Sequence, residues 1–104
     1  MRHLLVEARY TVPFERLREV VPHHRAWLQR GYDEGLFLCS GPKEPPTGGY
    51  LVARAPSAEF LKVMFEDEPF TKEGLATFTF MEFHPVKRQP WTEPWFGEDP
   101  AGPA

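Results

Sequence analysis

Residues 21 to 42, VPHHRAWLQRGYDEGLFLCSGP, contain a helix pattern that changes into a strand pattern. Together with the residues before it, this stretch repeats its inward positions every three or four residues, as one face of a helix requires: Phe14, Leu17, Val21, His24, Leu28 and Tyr32. Pro22 interrupts the pattern, so we expect either a kink or a short first piece followed by a longer second one. Gly35 is a helix stop signal. The apolar run LFLCS, residues 36 to 40, then predicts a strand buried on both faces or nearly so.

Strand patterns also occur on both sides of this stretch. HLLVEARY, residues 3 to 10, alternates with a period of two and predicts a first strand. GPKEPPTGG, residues 41 to 49, is rich in glycine and proline and predicts a loop. YLVARA, residues 50 to 55, and LATFTFMEFH, residues 75 to 84, predict two further strands.

A second helix is expected between the last two strands, because Ser57 is a candidate N-cap and Pro69 ends the helical pattern that follows it. The order strand, helix, strand, strand, helix, strand predicts an α+β fold. It is the ferredoxin-like βαββαβ type, in which an antiparallel sheet carries two helices on one face. The other face of such a sheet stays open, and two copies packed face to face would bury it.

The end of the chain differs in composition from the rest. Residues 85 to 104, PVKRQPWTEPWFGEDPAGPA, have five prolines and no helix or strand period, yet they include Trp91, Trp95 and Phe96. Aromatic side chains are costly to leave in water. We therefore expect residues 1 to 84 to form one domain, and residues 85 to 104 to extend over that domain or over a partner subunit.

Charge and composition argue against several kinds of partner. The net charge is −3, and the 12 lysine and arginine residues are scattered rather than gathered in a stripe, which argues against a nucleic-acid partner. No apolar stretch approaches the length of a membrane span, which argues against a membrane protein. Cys39 is the single cysteine, so no internal disulfide can form. The reducing cytoplasm is therefore the location we expect.

Two adjacent histidines lie near the start of the quoted stretch, and helical phase separates them. His24 shares the inward stripe with Val21 and Leu28, whereas His23 is rotated from it by about 100°. His24 is therefore predicted to face inward and His23 to face solvent. One interpretation of His24 is a hydrogen-bonded core histidine. The other is an imidazole that lines a pocket between helix and sheet and transfers protons.

A carboxylate occupies an inward position at the end of the second helix. Glu68 extends the apolar stripe of that helix by one turn. It is either a solvated helix end or a partner for His24. In the ferredoxin-like arrangement the two helices lie side by side, and both residues fall about 15 Å along them. Asp67 takes this role if the helical phase is shifted by one residue.

Other candidate residues are weaker. Ser40 ends a strand at a Gly-Pro turn and offers a hydroxyl, but no nucleophile-elbow spacing surrounds it. The four histidines do not have a metal-ligand spacing: His3, His23, His24 and His84. We therefore expect neither a metal nor another cofactor.

Several motifs taken in order resemble the YciI-like, or YCII-related, family. They are HHRAWLQRGYDEGLFLCSGP (23 to 42) and GGYLVARAPSAEFLKVMFEDEPFTKEGLATFTFMEF (48 to 83), and the resemblance extends over residues 2 to 84. It implies a ferredoxin-like domain that forms a dimeric α+β barrel, with a pocket near a His–Asp pair. His24 takes the position of the family's histidine. Glu68 stands where the family usually has aspartate, and Val21 where it often has a basic residue.

The resemblance and the residue pattern together predict a small cytoplasmic homodimer. The expected activity is cofactor-independent general acid–base chemistry on a small organic molecule, with His24 as base and Glu68 as its orienting partner. Ser40 and Gly41, which match the family's S-G-P motif, are expected to contact the substrate. The alternative is a homodimer that only binds a small ligand, or that has a structural role.

Overall fold

A computed structural model describes residues 1–97 of the chain. Its sheet has four strands, β1 (Arg2–Tyr10), β2 (Phe37–Pro42), β3 (Gly48–Ala55) and β4 (Ala76–Phe83). The strand order is β2-β3-β1-β4, and every neighbouring pair is antiparallel. The first and third strands are therefore central, and the sheet has the ferredoxin-like order. The predicted α+β fold class is confirmed.

Four helices complete the described part of the chain, with two short 3-10 helices at Phe14–Leu17 and Pro90–Thr92. The α-helices are α1 (Val21–Asp33), α2 (Ala58–Phe65), α3 (Pro69–Lys72) and α4 (Glu93–Phe96). The longest, α1, has 13 residues, or about 20 Å at 1.5 Å per residue. A bilayer core is about 30 Å thick. Within residues 1–97, no helix is long and apolar enough to cross a membrane.

The two faces of the sheet have different surroundings. Val6 of β1 pairs with Leu51 and Phe80 on the face covered by the helices, and the core there includes Trp27 of α1. On the opposite face, Leu5 pairs with Val52 of β3 and Met81 of β4. We call this opposite face, defined by Leu5, Tyr50, Val52 and Met81, the open sheet face. The side chain of Met81 is 46% exposed on it.

Close packing of α1 on the sheet depends on Gly31. A Cβ atom there would lie 2.0 Å from Cε2 of Phe37, so any larger residue would displace the Phe37 ring. Trp27 and Gly31 are the buried residues of α1. The predicted stripe is thus rotated from the actual core side, because its members Val21, His24 and Leu28 line a cavity beside the core.

The predicted first helix is divided rather than kinked. Phe14–Leu17 forms a 3-10 helix, and α1 begins at Val21 with Pro22 in its first turn. Proline is tolerated there because the N–H groups of the first turn have no partner within the helix. His24 is therefore the fourth residue of α1. The prediction that it lies about 15 Å along the first helix was wrong.

The predicted second helix also ends early. α2 stops at Phe65, and Glu68 belongs to no part of it. Instead, Glu68 is the N-cap of the separate helix α3, which begins at Pro69. The chain turns at this point, so the inward direction of Glu68 comes from a cap position and not from continued helical phase.

The prediction of a buried second strand was wrong. In β2 only Phe37 is buried, and Cys39 is exposed. The reason is sheet order, since β2 is an edge strand that pairs with β3 alone. The strand also continues through Ser40 and Gly41 to Pro42, beyond the predicted end.

The segment after β4 packs on one end of the open sheet face. Arg54 of β3 donates a hydrogen bond from Nη1 to the Trp95 carbonyl, and its guanidinium carbon lies 4.9 Å from the centre of the Trp95 ring. Nε2–H of the buried His3 donates to the Phe96 carbonyl at 3.1 Å. This segment was expected to have no helix, but it includes a 3-10 turn and α4. Residues 98–104 of the predicted extension lie outside the described part of the chain.

Candidate functional site

A cavity of about 420 Å³ lies between α1 and the helix-covered face of the sheet. Its lining is mainly apolar and aromatic, and includes Phe14, Val21, Leu28, Phe65, Phe70 and Phe78. Among the lining residues, polar or charged side chains include those of Tyr10, His24, Arg25 and Ser40. Pockets with apolar walls and a few polar groups are the usual form of small-molecule sites.

His24 is held in place by the first turn of α1. Its backbone N–H donates to the Val20 carbonyl at 3.0 Å, which fixes the start of the helix. The side chain then reaches α3, where Nδ1 lies 2.6 Å from Oε1 of Glu68. His24 is 22% exposed and Glu68 is fully buried. The imidazole therefore has one side in the protein and one side toward the cavity.

Both carboxylate oxygens of Glu68 are used. Oε1 accepts from His24, and Oε2 accepts from the backbone N–H of Thr71 at 2.9 Å and from its hydroxyl at 3.3 Å. These contacts make Glu68 the N-cap of α3. Because the carboxylate is held from three directions, it can fix the orientation of the imidazole.

Phe70 supports the imidazole from a second direction. Its ring stacks on that of His24, with 4.1 Å between ring centres and 11° between ring planes. The hydrogen bond to Glu68 fixes rotation of the imidazole within its plane, while the stacked ring fixes the plane itself. The two constraints together leave His24 a single orientation.

The hydrogen bond at Nδ1 determines what the other ring nitrogen can do. A carboxylate accepts hydrogen bonds, so Nδ1 carries the proton and Nε2 of the neutral ring carries a lone pair. No side chain or backbone group in residues 1–97 bonds to Nε2 of His24. That nitrogen is available to accept a proton from a molecule in the cavity. The neighbouring His23 is exposed, and within residues 1–97 it has neither a carboxylate partner nor a stacked ring.

The structure brings Ser40 and Gly41 to the same cavity. The hydroxyl groups of Ser40 and Tyr32 are hydrogen-bonded at 2.7 Å. A Cβ atom placed at Gly41 would meet no atom within 4 Å, so the backbone there faces open space. Asp67, the alternative to Glu68, is exposed and stands apart from the cavity lining.

Three residues of the site were missed from the sequence. No sequence pattern indicated that Phe70 belongs to the site, because the chain reversal before α3 was not predicted. Arg25 was overlooked beside His24, although it is one helical turn after Val21, where the family resemblance implies a basic residue. Arg25 is exposed and has no hydrogen-bond or ion-pair partner among residues 1–97.

Tyr10 is the third missed residue, and strand parity could have found it. It ends the inward row of β1 and contacts the edge of Phe70, with 6.0 Å between ring centres. The pKa of the Tyr10 phenol is raised above its ordinary value, first by burial and second by the negative charge of Glu68. The phenol is therefore a hydrogen-bond donor at neutral pH.

The described residues contain no group of three or more His, Cys, Asp and Glu side chains that could hold a metal ion. The polar chemistry of the cavity comes from the imidazole of His24 and the side chains beside it.

Comparison with known proteins identifies a family for this chain. A solved structure of 5-chloro-2-hydroxyhydroquinone dehydrochlorinase (TftG) from Burkholderia phenoliruptrix AC1100, in complex with 2,5-dihydroxybenzoquinone, is similar in fold. Its TM-score is 0.64 at 22% sequence identity, over 78% of this chain and 94% of the other. No curated protein is significantly similar in sequence. The family model of the YCII-related domain matches residues 1–84. The chain therefore belongs to the YCII-related domain family.

Proposed function

We propose that the protein is a cofactor-independent enzyme that carries out general acid–base chemistry on a small organic molecule. The observation that carries the proposal is the 2.6 Å contact between Nδ1 of His24 and Oε1 of Glu68, with Nε2 left open to an apolar cavity. A histidine oriented by a carboxylate is the usual arrangement of a proton-transfer base.

In the proposed reaction, Nε2 of His24 accepts a proton from the bound molecule. The buried carboxylate of Glu68 stabilises the imidazolium that forms, and the proton is then returned to another atom or to a leaving group. Isomerisation and elimination both follow this course. Ser40 and Gly41 contact the substrate from β2 and help to fix its position.

The shape and charge of the cavity favour a flat ring that carries oxygen substituents. Its walls include the rings of Phe65, Phe70 and Phe78, and Arg25 adds a positive charge. The similar fold of the dehydrochlorinase, which was solved with a dihydroxybenzoquinone, supports the same substrate class for this chain. A hydroxylated or chlorinated hydroxylated ring is thus the first substrate class to test.

The test is turnover by wild type and by two matched histidine variants. We expect wild type to release chloride from 5-chloro-2-hydroxyhydroquinone or to convert a related member of a hydroxylated-ring panel. His24→Asn should reduce kcat by about 100-fold or more. His23→Asn, at the exposed neighbouring position, should leave kcat unchanged. Equal turnover by His24→Asn and wild type, or no turnover of any ring in the panel, would contradict the proposal.

We also propose that the active form is a cytoplasmic homodimer, a dimeric α+β barrel, joined through the open sheet face. Tyr50 and Met81 lie on that face and are each 46% exposed, and large apolar side chains exposed together on one face favour an interface. Met81→Glu should give a monomer in sedimentation velocity, while Val63→Glu, on the exposed side of α2, should stay dimeric. A monomeric wild type would contradict this. The exposed thiol of Cys39 supports a reducing compartment, which cell fractionation would check.

The second candidate function is a homodimer that binds a ligand without turnover, or that has a structural role. Its specific support is that Glu68 is fully buried and also caps α3, so its contact with His24 could serve to hold α3 against α1. In that case wild type would turn over no ring of the panel, and His24→Asn would lower the free energy of unfolding. Urea unfolding of both histidine variants, measured beside the kinetics, separates the two candidates.

A further inference from the structure

Tyr10 brings a second ionisable side chain to the cavity. It is the last residue of β1, and its side chain lines the cavity beside His24. Its backbone is fixed by pairing with Ala76 and by a 2.9 Å hydrogen bond from its N–H to the Thr47 carbonyl. The hydroxyl has no hydrogen-bond partner among residues 1–97. Partly buried tyrosine hydroxyls usually find a partner, so a bound molecule is a natural one.

Phe70 relates the positions of Tyr10 and His24. It stacks on the His24 ring at 4.1 Å and meets the Tyr10 ring nearly edge-on at 6.0 Å and 84°. A single buried ring therefore contacts both side chains and holds them at one end of the cavity. The negative charge of Glu68 acts on the phenol as well, since it helps to raise the pKa of Tyr10.

The two groups have opposite roles in hydrogen bonding. Nε2 of neutral His24 is an acceptor, while the Tyr10 phenol keeps its proton at neutral pH and donates. When the imidazole takes up a proton, its positive charge balances the carboxylate of Glu68. An anionic oxygen beside Tyr10 then does not face uncompensated negative charge.

We infer that the Tyr10 hydroxyl donates a hydrogen bond to the substrate oxygen that becomes negatively charged when His24 removes a proton. This rests on the proposed function. The proton passes to Nε2, the electron pair that it leaves is delocalised onto the oxygen, and Tyr10 keeps its own proton. The substrate class is thereby narrowed to molecules that form a phenolate or enolate. Donors placed at such an oxygen stabilise it strongly in a site from which water is excluded.

The test is a binding experiment that needs no turnover. Tyr10→Phe removes the hydroxyl and keeps the ring that contacts Phe70. The probes are 4-nitrophenolate and nitrobenzene, of similar size but with and without the anionic oxygen. Tyr10→Phe should weaken binding of 4-nitrophenolate by about 10-fold or more, because hydrogen bonds to charged groups are the strong ones. It should change binding of nitrobenzene by less than about twofold.

Three results would overturn the inference. The first is equal weakening of both probes by Tyr10→Phe, which indicates a packing role. The second is unchanged binding of 4-nitrophenolate by Tyr10→Phe. The third is no binding of 4-nitrophenolate to wild type. If Tyr10→Phe fails to fold, the absorption maximum of 4-nitrophenolate bound to wild type tests the inference instead. A donor at the oxygen shifts it to shorter wavelength than in an aprotic solvent, and no shift overturns the inference. Because His24→Asn tests turnover and Tyr10→Phe tests binding, failure of the proposed function and failure of this inference give different results.

Discussion

His24 and Glu68 lie 44 positions apart in the chain, yet their side chains meet at 2.6 Å because each stands at the beginning of a helix. His24 is in the first turn of α1, and Glu68 is the N-cap of α3. One carboxylate thus has two tasks, since it caps a helix through Oε2 and orients an imidazole through Oε1. A substitution that keeps the cap of α3 but changes the contact with His24 can therefore separate the role of Glu68 in stability from its role in the proposed catalysis.

Glu68→Gln should make that separation. The amide oxygen can still accept from Thr71 and cap α3, while the NH₂ group donates to Nδ1 of His24 and forces the proton onto Nε2. Nε2 then has no lone pair to accept a substrate proton. We expect kcat to fall by about 100-fold or more, with a loss of about 1 kcal/mol in the free energy of unfolding. Kinetics and urea unfolding measure the two effects, and ¹⁵N shifts of the imidazole report the tautomer.

Asp67→Asn is the matched control for Glu68→Gln, because Asp67 is the adjacent carboxylate and is exposed. It should leave kcat, unfolding and imidazole shifts unchanged. If Glu68→Gln retained the wild-type kcat, Glu68 would not orient a catalytic base.

Patterns of period two and of helical phase were sufficient to predict the sheet and to select His24 over His23. The ferredoxin-like fold followed from the order of elements alone, since few topologies place four strands and two crossover helices in that order. The resemblance supplied the same two site residues, His24 and Glu68. Their functional roles remain predictions that the variants above test.

What the sequence did not reveal depends on contacts between distant segments. Glu68 was placed on a continuous helix, but the chain turns before Pro69 and the residue becomes a cap. Cys39 was expected in a buried strand, and sheet order put it at an edge. Tyr10 lies on the correct face by parity, but only the packing of α3 brings Phe70 and Glu68 next to it.

The pH dependence of stability should report the environment of Tyr10. Its pKa is raised in the folded protein from the ordinary value of 10.0, so at high pH the unfolded chain loses this proton first. The contribution of the Tyr10 phenol to the free energy of unfolding is complete below about pH 10. It is lost as the pH rises toward the pKa of Tyr10 in the folded protein. Relative to Tyr10→Phe, wild type should therefore lose free energy of unfolding more steeply above about pH 10. Urea unfolding of both proteins from about pH 8 to about pH 11 measures this, and parallel curves would contradict it.

Ser40 should influence binding more than chemistry. Its hydroxyl is bonded to that of Tyr32 at 2.7 Å beside the cavity, and no base stands next to it to make it a nucleophile. Ser40→Ala should raise KM by about 2- to 10-fold and leave kcat within about twofold of wild type. Tyr32→Phe, which removes the other hydroxyl of the pair, should have a smaller effect on KM. A loss of kcat as large as that expected for His24→Asn would instead make Ser40 a catalytic residue.

Arg25 should strengthen the binding of anionic substrates, and added salt should abolish this effect. It lines the cavity one residue after His24, it is exposed, and its guanidinium has no partner within residues 1–97. An exposed charge contributes little and is screened over about 10 Å at 0.1 M salt. Arg25→Gln should thus raise KM for an anionic ring by about 2- to 5-fold at low ionic strength, with the difference lost at about 0.5 M salt.

The matched control for Arg25→Gln is Arg30→Gln. Arg30 is an exposed arginine of the same helix that stands apart from the cavity lining, so its removal changes the net charge equally without changing the local field at the site. Steady-state kinetics of both variants against salt concentration separate a local charge effect from a global one. An equal rise of KM in both variants would show that Arg25 acts only through the net charge. An effect of Arg25→Gln that persists at high salt would indicate a direct, desolvated contact with the substrate.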